Sequence, residues 1–399
     1  MNPRHALIAG AGIGGLCAAI SLARRGWRVS LYEKAKFLDE AGAGLQLSPN
    51  ASAILQKLGI IERLAPFALC PQAITIRRAR DGATLALMPL EDAEQRWGAP
   101  YLVVHRADLQ RVLLEVAARI SDVHLMTGAA VNGIEQDALS VSVAADEGAV
   151  APKVGGDCLI GADGVRSFVR QFLGGESARF TRRTAWRALV EAARVPTAMR
   201  RQETTLWLGR GAHLVHYPLR GGSVVNVVAI VDERNYSVSE NFWAGLGDPR
   251  FLEPRFEGWE GAAKELLRAA SGWRTWPLFD CRPARSWVKG RVALMGDAAH
   301  PMLPFLAQGA AQAIEDAGAL SVALDQGKDI CAGLRAYQAM RQARATRVQK
   351  ESRRQAAIYH LAGPAAFLRD ATLQALSGQQ MLARYDWLYT AGNTEAPLA

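Results

Sequence analysis

The sequence predicts an α/β chain: a doubly wound, Rossmann-like nucleotide-binding layer, an antiparallel β-sheet module inserted into it, and helices at the C-terminal end. Three observations predict it. A short apolar run, HALIA at 5–9, leads through a Gly-rich turn into LCAAISLARR at helical period. Residues 184–232 form a series of apolar, β-rich runs broken by Gly or Pro. Residues 333–355 are helical and strongly basic.

The elements follow in order. After the first strand, turn and helix, residues 27–32 read as a second strand, closing a β-turn-α-β unit of about thirty residues. A polar, Gly-rich loop spans 39–50, and Pro49 and Asn50 open a helix that Gly59 ends. Residues 72–88 read as a hairpin turning at Asp81-Gly82, and residues 106–120 as an amphipathic helix. Short strand runs lie at 131–135 and 139–144, and DCLIGADGVRS occupies 157–167. TAWRALVEA, TTLWLG, HLVHYPL and SVVNVVAIV make the mostly antiparallel sheet, with Trp186 and Trp207 in its packing. A helix at 260–270, a buried strand at 291–295 and a helix from about Gln308 to Leu324 follow. The expected division is a discontinuous nucleotide domain (1–70, 100–175 and 280–325), a β-sheet substrate domain (71–99 and 176–279) and a C-terminal helical segment (326–399). The arginines of 333–355 are expected on a solvated face, or as a surface for an acidic partner.

Composition narrows the classes. The chain has 399 residues, 50% hydrophobic and 21% charged, which suits two or three globular domains and argues against long disorder. A net charge of +9 favours anionic small molecules, nucleic acid or acidic lipid as partners. Cys17, Cys70, Cys158, Cys281 and Cys331 are scattered without a CxxC pair, so neither a disulfide framework nor a zinc site is expected, and the thiols read as reduced and cytoplasmic. Residues 6–23 are apolar but hold four glycines within six positions, which suits a tight turn rather than a signal peptide, and no run reaches the roughly 18 residues of a membrane span.

The chemistry begins at Gly10, Gly12, Gly14 and Gly15. The motif GxGxxG fits Gly10, Gly12 and Gly15: the first permits the tight turn, the second lets the backbone approach a pyrophosphate, the third allows close helix–strand packing. The phosphates would sit on the helix N-terminus. Glu33 ends the next strand, where its carboxylate can accept from the ribose of FAD or NAD, and it disfavours the 2′-phosphate of NADP there. Asp163-Gly164 and Gly296-Asp297 each follow an apolar run, placing a carboxylate at a strand's C-terminal end. No second GxGxxG follows a strand.

GAGIGG, Glu33, HRADL at 105–109, GADGVRS at 161–167 and GDAAHPMLPFLAQGAAQAIEDA at 296–317 together resemble the FAD-dependent aromatic hydroxylases, single-component flavoprotein monooxygenases of the p-hydroxybenzoate hydroxylase fold, and among them salicylate hydroxylase-like enzymes. The resemblance covers residues 4–325 and implies a GR2-type FAD-binding domain. It implies that Gly10–Gly15 and Glu33 hold the ADP half of FAD, that Arg106, Asp163, Gly164 and Asp297 contact the cofactor, and that Pro304, Gln308, Gly309 and Ala310 lie beside the isoalloxazine ring. The helix starting near Gln308 would direct its N–H groups at the flavin edge that becomes negative on reduction. NAD(P)H would be a transient cosubstrate and O2 the oxygen source, for hydroxylation of a small phenolic acid whose ring must be electron-rich.

On strand AHLVHYPL, His213 and Tyr217 share one face and His216 takes the other. The resemblance implies that His213 or Tyr217 activates the phenol; the plain alternative is core packing. Pro304 leans towards a salicylate-type, decarboxylating reaction; 3-hydroxybenzoate and 6-hydroxynicotinate are alternatives. No arginine is evident for a substrate carboxylate, with Arg187 and Arg220 unplaced. A related FAD oxidase or dehydrogenase, and a membrane-associated quinone-pathway hydroxylase using the basic helix, remain alternative classes. Expected partners are the aromatic substrate and O2, with no metal, no nucleic acid and no integral membrane segment, in a monomer or homodimer.

Overall fold

A computed structural model describes residues 4–38, 43–145, 153–233 and 245–391. A six-stranded sheet runs in the order Val288–Lys289, Val292–Leu294, Cys158–Gly161, His5–Ala9, Arg28–Glu33, Val123–Thr127. All its pairs are parallel except the first. Every residue of His5–Ala9 and Cys158–Gly161 is buried, because helices cover the sheet and leave no polar side to alternate with. The principal core lies between this sheet and the helices Ile13–Ala23, Arg106–Ala117 and Gly309–Gln326.

The β-rich stretch folds into an eight-stranded sheet: Gly245–Leu246, Arg274–Asp280, Arg179–Glu191, Val224–Asp232, Ala212–Leu219, Glu203–Gly209, Ala73–Arg78, Thr84–Pro89. Its pairing is antiparallel except between Glu203–Gly209 and Ala73–Arg78. Helix Gly261–Ala269 packs on its outer face over Trp186, Trp207 and Leu214. The loop expected over 39–50 is different: residues 39–42 lie outside the described residues, and Gly44–Leu47 is a strand paired with Leu102–His105. Gly44 carries no side chain because a Cβ there would stand 2.6 Å from the Tyr217 ring.

The basic segment corrects the sequence reading. It is one helix, Ile330–Tyr359, and several of its arginines face inward rather than solvent. Arg341 is buried and binds Glu315 and Asp316, with Nε 2.8 Å from Asp316 Oδ1. Arg344 reaches Glu315 at 2.7 Å, Arg353 reaches Asp280 at 2.6 Å, and Arg347 stacks on Trp387. The charge run is read by carboxylates 25 or more residues upstream, which local sequence cannot pair.

This buried cluster yields a prediction. Burial pushes the Asp316 carboxyl up, but His300 and Arg341 outweigh it and hold it at about 2 against the ordinary 3.8. Its stabilisation is therefore full above about pH 4 and is lost as the pH falls towards 2. Arg341→Met leaves two buried carboxylates short of their shared cation and should cost about 3–5 kcal/mol in a denaturant titration. A loss under about 1 kcal/mol would show that Arg344 and His300 suffice alone.

Candidate active site

The strands His5–Ala9, Cys158–Gly161 and Val292–Leu294 end side by side, and their C-terminal turns open onto one cleft of about 330 Å³. The floor comes from Gly12, Ile13 and Gly14, from Ala162 and Gly164, and from Gly296 and Asp297; the large sheet supplies the roof. Two helix N-termini, at Ile13 and at Gly309–Ala310, point their unsatisfied N–H groups at it.

The glycines of the first turn divide by role. Gly10 has φ +104, and a Cβ on it would meet Ala162 O at 2.4 Å. A Cβ on Gly15 would lie 1.9 Å from Gly10 O. Both are required by the turn itself. A Cβ on Gly12 meets nothing within 4 Å, so that position faces open cleft. Gly14 also lines the cleft and packs towards Ala313.

Glu33 stands at the end of its strand. Its Oε2 accepts from Ala11 N–H at 2.9 Å and its Oε1 from Ala35 N–H at 2.9 Å. Each oxygen keeps a lone pair for a ribose hydroxyl. Asp163 Oδ2 accepts from Val169 N–H at 3.1 Å, while Oδ1 is buried with no partner among the described residues. Such an orphaned acceptor fits a bound polar group.

Asp297 is open to the cleft yet ringed by protein, and that desolvation raises its pKa against the pull of His300 and Arg106. Burial, then repulsion from Arg187, brings Arg106 down to about 10, with Asp297 opposing. The cleft thus holds two half-buried arginines, Arg106 and Arg187, which suits an anionic cofactor and an anionic substrate.

On the other side, Pro304 and Ala307 line the wall where a short 3₁₀ turn, Pro304–Leu306, ends in Ala307 at φ +53. Pro304 carries no proton-transfer group; it shapes the cavity. Gln308 is buried, but its side chain turns away, donating to Ser48 Oγ at 2.7 Å and accepting from Asn50 at 3.1 Å. Only its backbone is left to face a ligand there.

The roof shows the expected alternation. His213, Val215 and Tyr217 all line the cleft, whereas His216 faces a separate cavity beside Trp207. Arg187, Val228 and Val215 are cross-strand neighbours in one row of the same face. Arg187, unplaced in sequence, is therefore a cleft residue; its guanidinium lies over the Trp276 ring, and its Nε has no hydrogen-bond partner among the described residues. Arg220 is not: it pairs with Asp108 at 3.0 Å. His300 binds Asp316 at 2.6 Å and is structural. Burial lifts the Tyr217 hydroxyl above its ordinary range, although Arg187 and a hydrogen bond with Gln46 oppose this. Burial and the neighbouring His360 hold His213 well below 6.5, so it is neutral.

Sequence reasoning missed His360, whose Nε2 lies 2.8 Å from His213 Nδ1 although the two are 147 residues apart. No local pattern joins them.

Comparison with known proteins finds similarity over almost the whole chain. The family described as FAD binding domain matches residues 4–352. The chain is 37% identical over 385 residues to 3-hydroxybenzoate 6-hydroxylase of Polaromonas naphthalenivorans (strain CJ2), covering 96% of this chain and 95% of the relative. Among solved structures, Klebsiella pneumoniae HpxO complexed with FAD and uric acid is similar with TM-score 0.87 and 27% identity, covering 98% of each chain. A salicylate hydroxylase substrate complex is similar with TM-score 0.82 and 27% identity, covering 97% of this chain and 95% of that one. Among the described residues, no helix is long and apolar enough to cross a membrane.

Proposed function

We propose, from the premise that this chain belongs to the FAD binding domain family and is an FAD-dependent aromatic monooxygenase, that its substrate is a hydroxybenzoate held between Arg187 and His213. The observation that carries this is Arg187, a half-buried arginine on the cleft face of the eight-stranded sheet. It sits two strands across and one row along from His213. With strands about 4.8 Å apart and about 3.3 Å per residue, the two Cα atoms are about 12 Å apart. Both residues line the cleft, on either side of the space the ring would take.

FAD, reduced by NAD(P)H, supplies with O2 the oxygen atom that enters the ring. On this reading the turn Gly10–Gly15 and Glu33 hold the ADP half. Arg106, Asp163, Gly164 and Asp297 hold the pyrophosphate and ribityl region, and Gly309 and Ala310 with the Gln308 backbone face the ring. The segments 1–70, 100–175 and 280–325 are the cofactor domain, 71–99 and 176–279 the substrate domain, and 326–399 the C-terminal helical segment, whose described part, 326–391, is a buttress. His213 Nε2 takes the phenol proton, which raises electron density at the ring carbons ortho and para to the oxygen. Tyr217, neutral at all working pH, orients the substrate by hydrogen bonding.

The relative's name points to 3-hydroxybenzoate, whose carbon 6 is para to the hydroxyl. Pro304 in the wall, with the likeness to salicylate hydroxylase, favours salicylate as a second reading. NADH and NADPH oxidation with each acid, followed by product identification, separates them: a dihydroxybenzoate from one, a catechol and CO2 from the other. Arg187→Met should raise KM roughly 10- to 150-fold with kcat little changed, the loss of one charge-assisted bond. Equal turnover of phenols lacking a carboxylate would overturn the substrate class.

A further inference from the structure

We infer that His360 and Asp232 form, with His213, a proton path from the substrate cavity to solvent, and that they set the tautomer in which His213 works as a base. The inference rests on the reading of His213 as the group facing the phenol.

The path is a chain of two hydrogen bonds. His213 Nδ1 lies 2.8 Å from His360 Nε2, and His360 Nδ1 lies 2.9 Å from Asp232 Oδ1. Side-chain exposure rises along it, from 4% at His360 to 34% at Asp232, so the outer end alone meets water. Arg183 Nε donates to the same Asp232 oxygen at 2.8 Å and its guanidinium lies over Phe305. The groups packed around His213 are Phe305, Tyr359 and His360, with Asp232 and Arg183 as the nearby charges.

A carboxylate only accepts, so Asp232 must take the proton of His360 Nδ1–H. A His360 ring with its single proton on Nδ1 has a bare Nε2, which accepts from His213 Nδ1–H. Neutral His213 is left with its lone pair on Nε2, the nitrogen available to the cavity. The tautomer follows from the outer carboxylate inward.

Proton balance is simple. The phenol O–H bond breaks and a bond forms to His213 Nε2. His213 Nδ1–H passes its proton to His360 Nε2, His360 Nδ1–H passes its proton to Asp232, and Asp232 releases it to water. A phenolate stays in the cavity. When the product hydroxyl is re-protonated the path runs backwards and restores both tautomers. His360 and Asp232 act only through His213 and are positioning residues.

The test uses the holoenzyme with bound 3-hydroxybenzoate and salicylate, reading phenolate absorbance against pH together with kcat, KM and flavin content. Asp232→Asn keeps a polar partner of the same shape but removes the charge. It should move half-formation of bound phenolate upward by about one pH unit, a tenfold change, and lower kcat about tenfold with KM and flavin content unchanged. His360→Gln keeps hydrogen bonding but cannot relay a proton, so it should show the same loss, partly restored by added imidazole in His360→Ala. If both conservative variants ionise the ligand and turn over as the parent does, while His213→Gln does not, the path is wrong and the base reading stands. If His213→Gln itself forms phenolate normally, the base reading falls, and the path with it.

Discussion

Gly12→Val is expected to fold normally and to purify without flavin. A Cβ at residue 12 meets no atom within 4 Å, so a small side chain begins in open cleft rather than against the native packing. The space it fills is cleft, at the mouth of helix Ile13–Ala23, where a pyrophosphate would lie against the helix N-terminus. The measurement is the ratio of flavin to protein absorbance, with circular dichroism and Tm as controls. Gly15→Ala is the contrast: its Cβ would lie 1.9 Å from Gly10 O, so the turn itself must open and folding should fail along with binding. A yellow Gly12→Val protein with stoichiometric flavin would remove the first turn from the cofactor site.

His213→Gln should keep FAD bound and slow hydroxylation by about 100- to 10,000-fold, the usual cost of losing a positioned base. NADH consumption should then appear increasingly as H2O2, because the ring is no longer activated. Tyr217→Phe should cost less than His213→Gln, since a buried hydroxyl with its pKa raised by burial orients but does not accept a proton. The internal control is His216, on the same strand but facing the other cavity. Burial, with Arg77 beside it, brings it down to about 3, and both its ring nitrogens lack a partner among the described residues. His216→Ala should leave turnover within a few-fold. If it abolished hydroxylation while His213→Gln did not, the cleft face of the strand would be wrongly assigned.

Much of this was legible before the fold. The first β-turn-α-β unit is written locally, in a fully buried strand, four glycines and Glu33. The two faces of Ala212–Leu219 follow from a period of two, and the structure keeps them. What was not legible is long-range. Arg187 becomes a cleft residue only through the registers that align it with Val228 and Val215. His360 reaches His213 only when the long C-terminal helix returns across the eight-stranded sheet. The arginines of that helix look like a solvated run until their carboxylates, from helix Gly309–Gln326 and from Asp280, are brought beneath them. A strand at Gly44–Leu47 was hidden by glycines that read as loop, yet one of them is there for the close approach of Tyr217.

The alternation along Ala212–Leu219 also bears on how such an enzyme changes its diet. Residues 213, 215 and 217 project into the cleft, while Leu214 is core and His216 lies outside it. Substitutions at the odd positions alter what the cavity accepts without disturbing the packing beneath Trp207, and those at the even positions do the reverse. The cavity lining and the core beneath Trp207 are therefore drawn from neighbouring residues of a single strand. A combinatorial library confined to 213, 215, 217 and 187 would sample new ring substituents while leaving the packing on the Trp207 side of the sheet in place. It gives a structural route by which one scaffold serves proteins as different as a 3-hydroxybenzoate 6-hydroxylase and one complexed with uric acid.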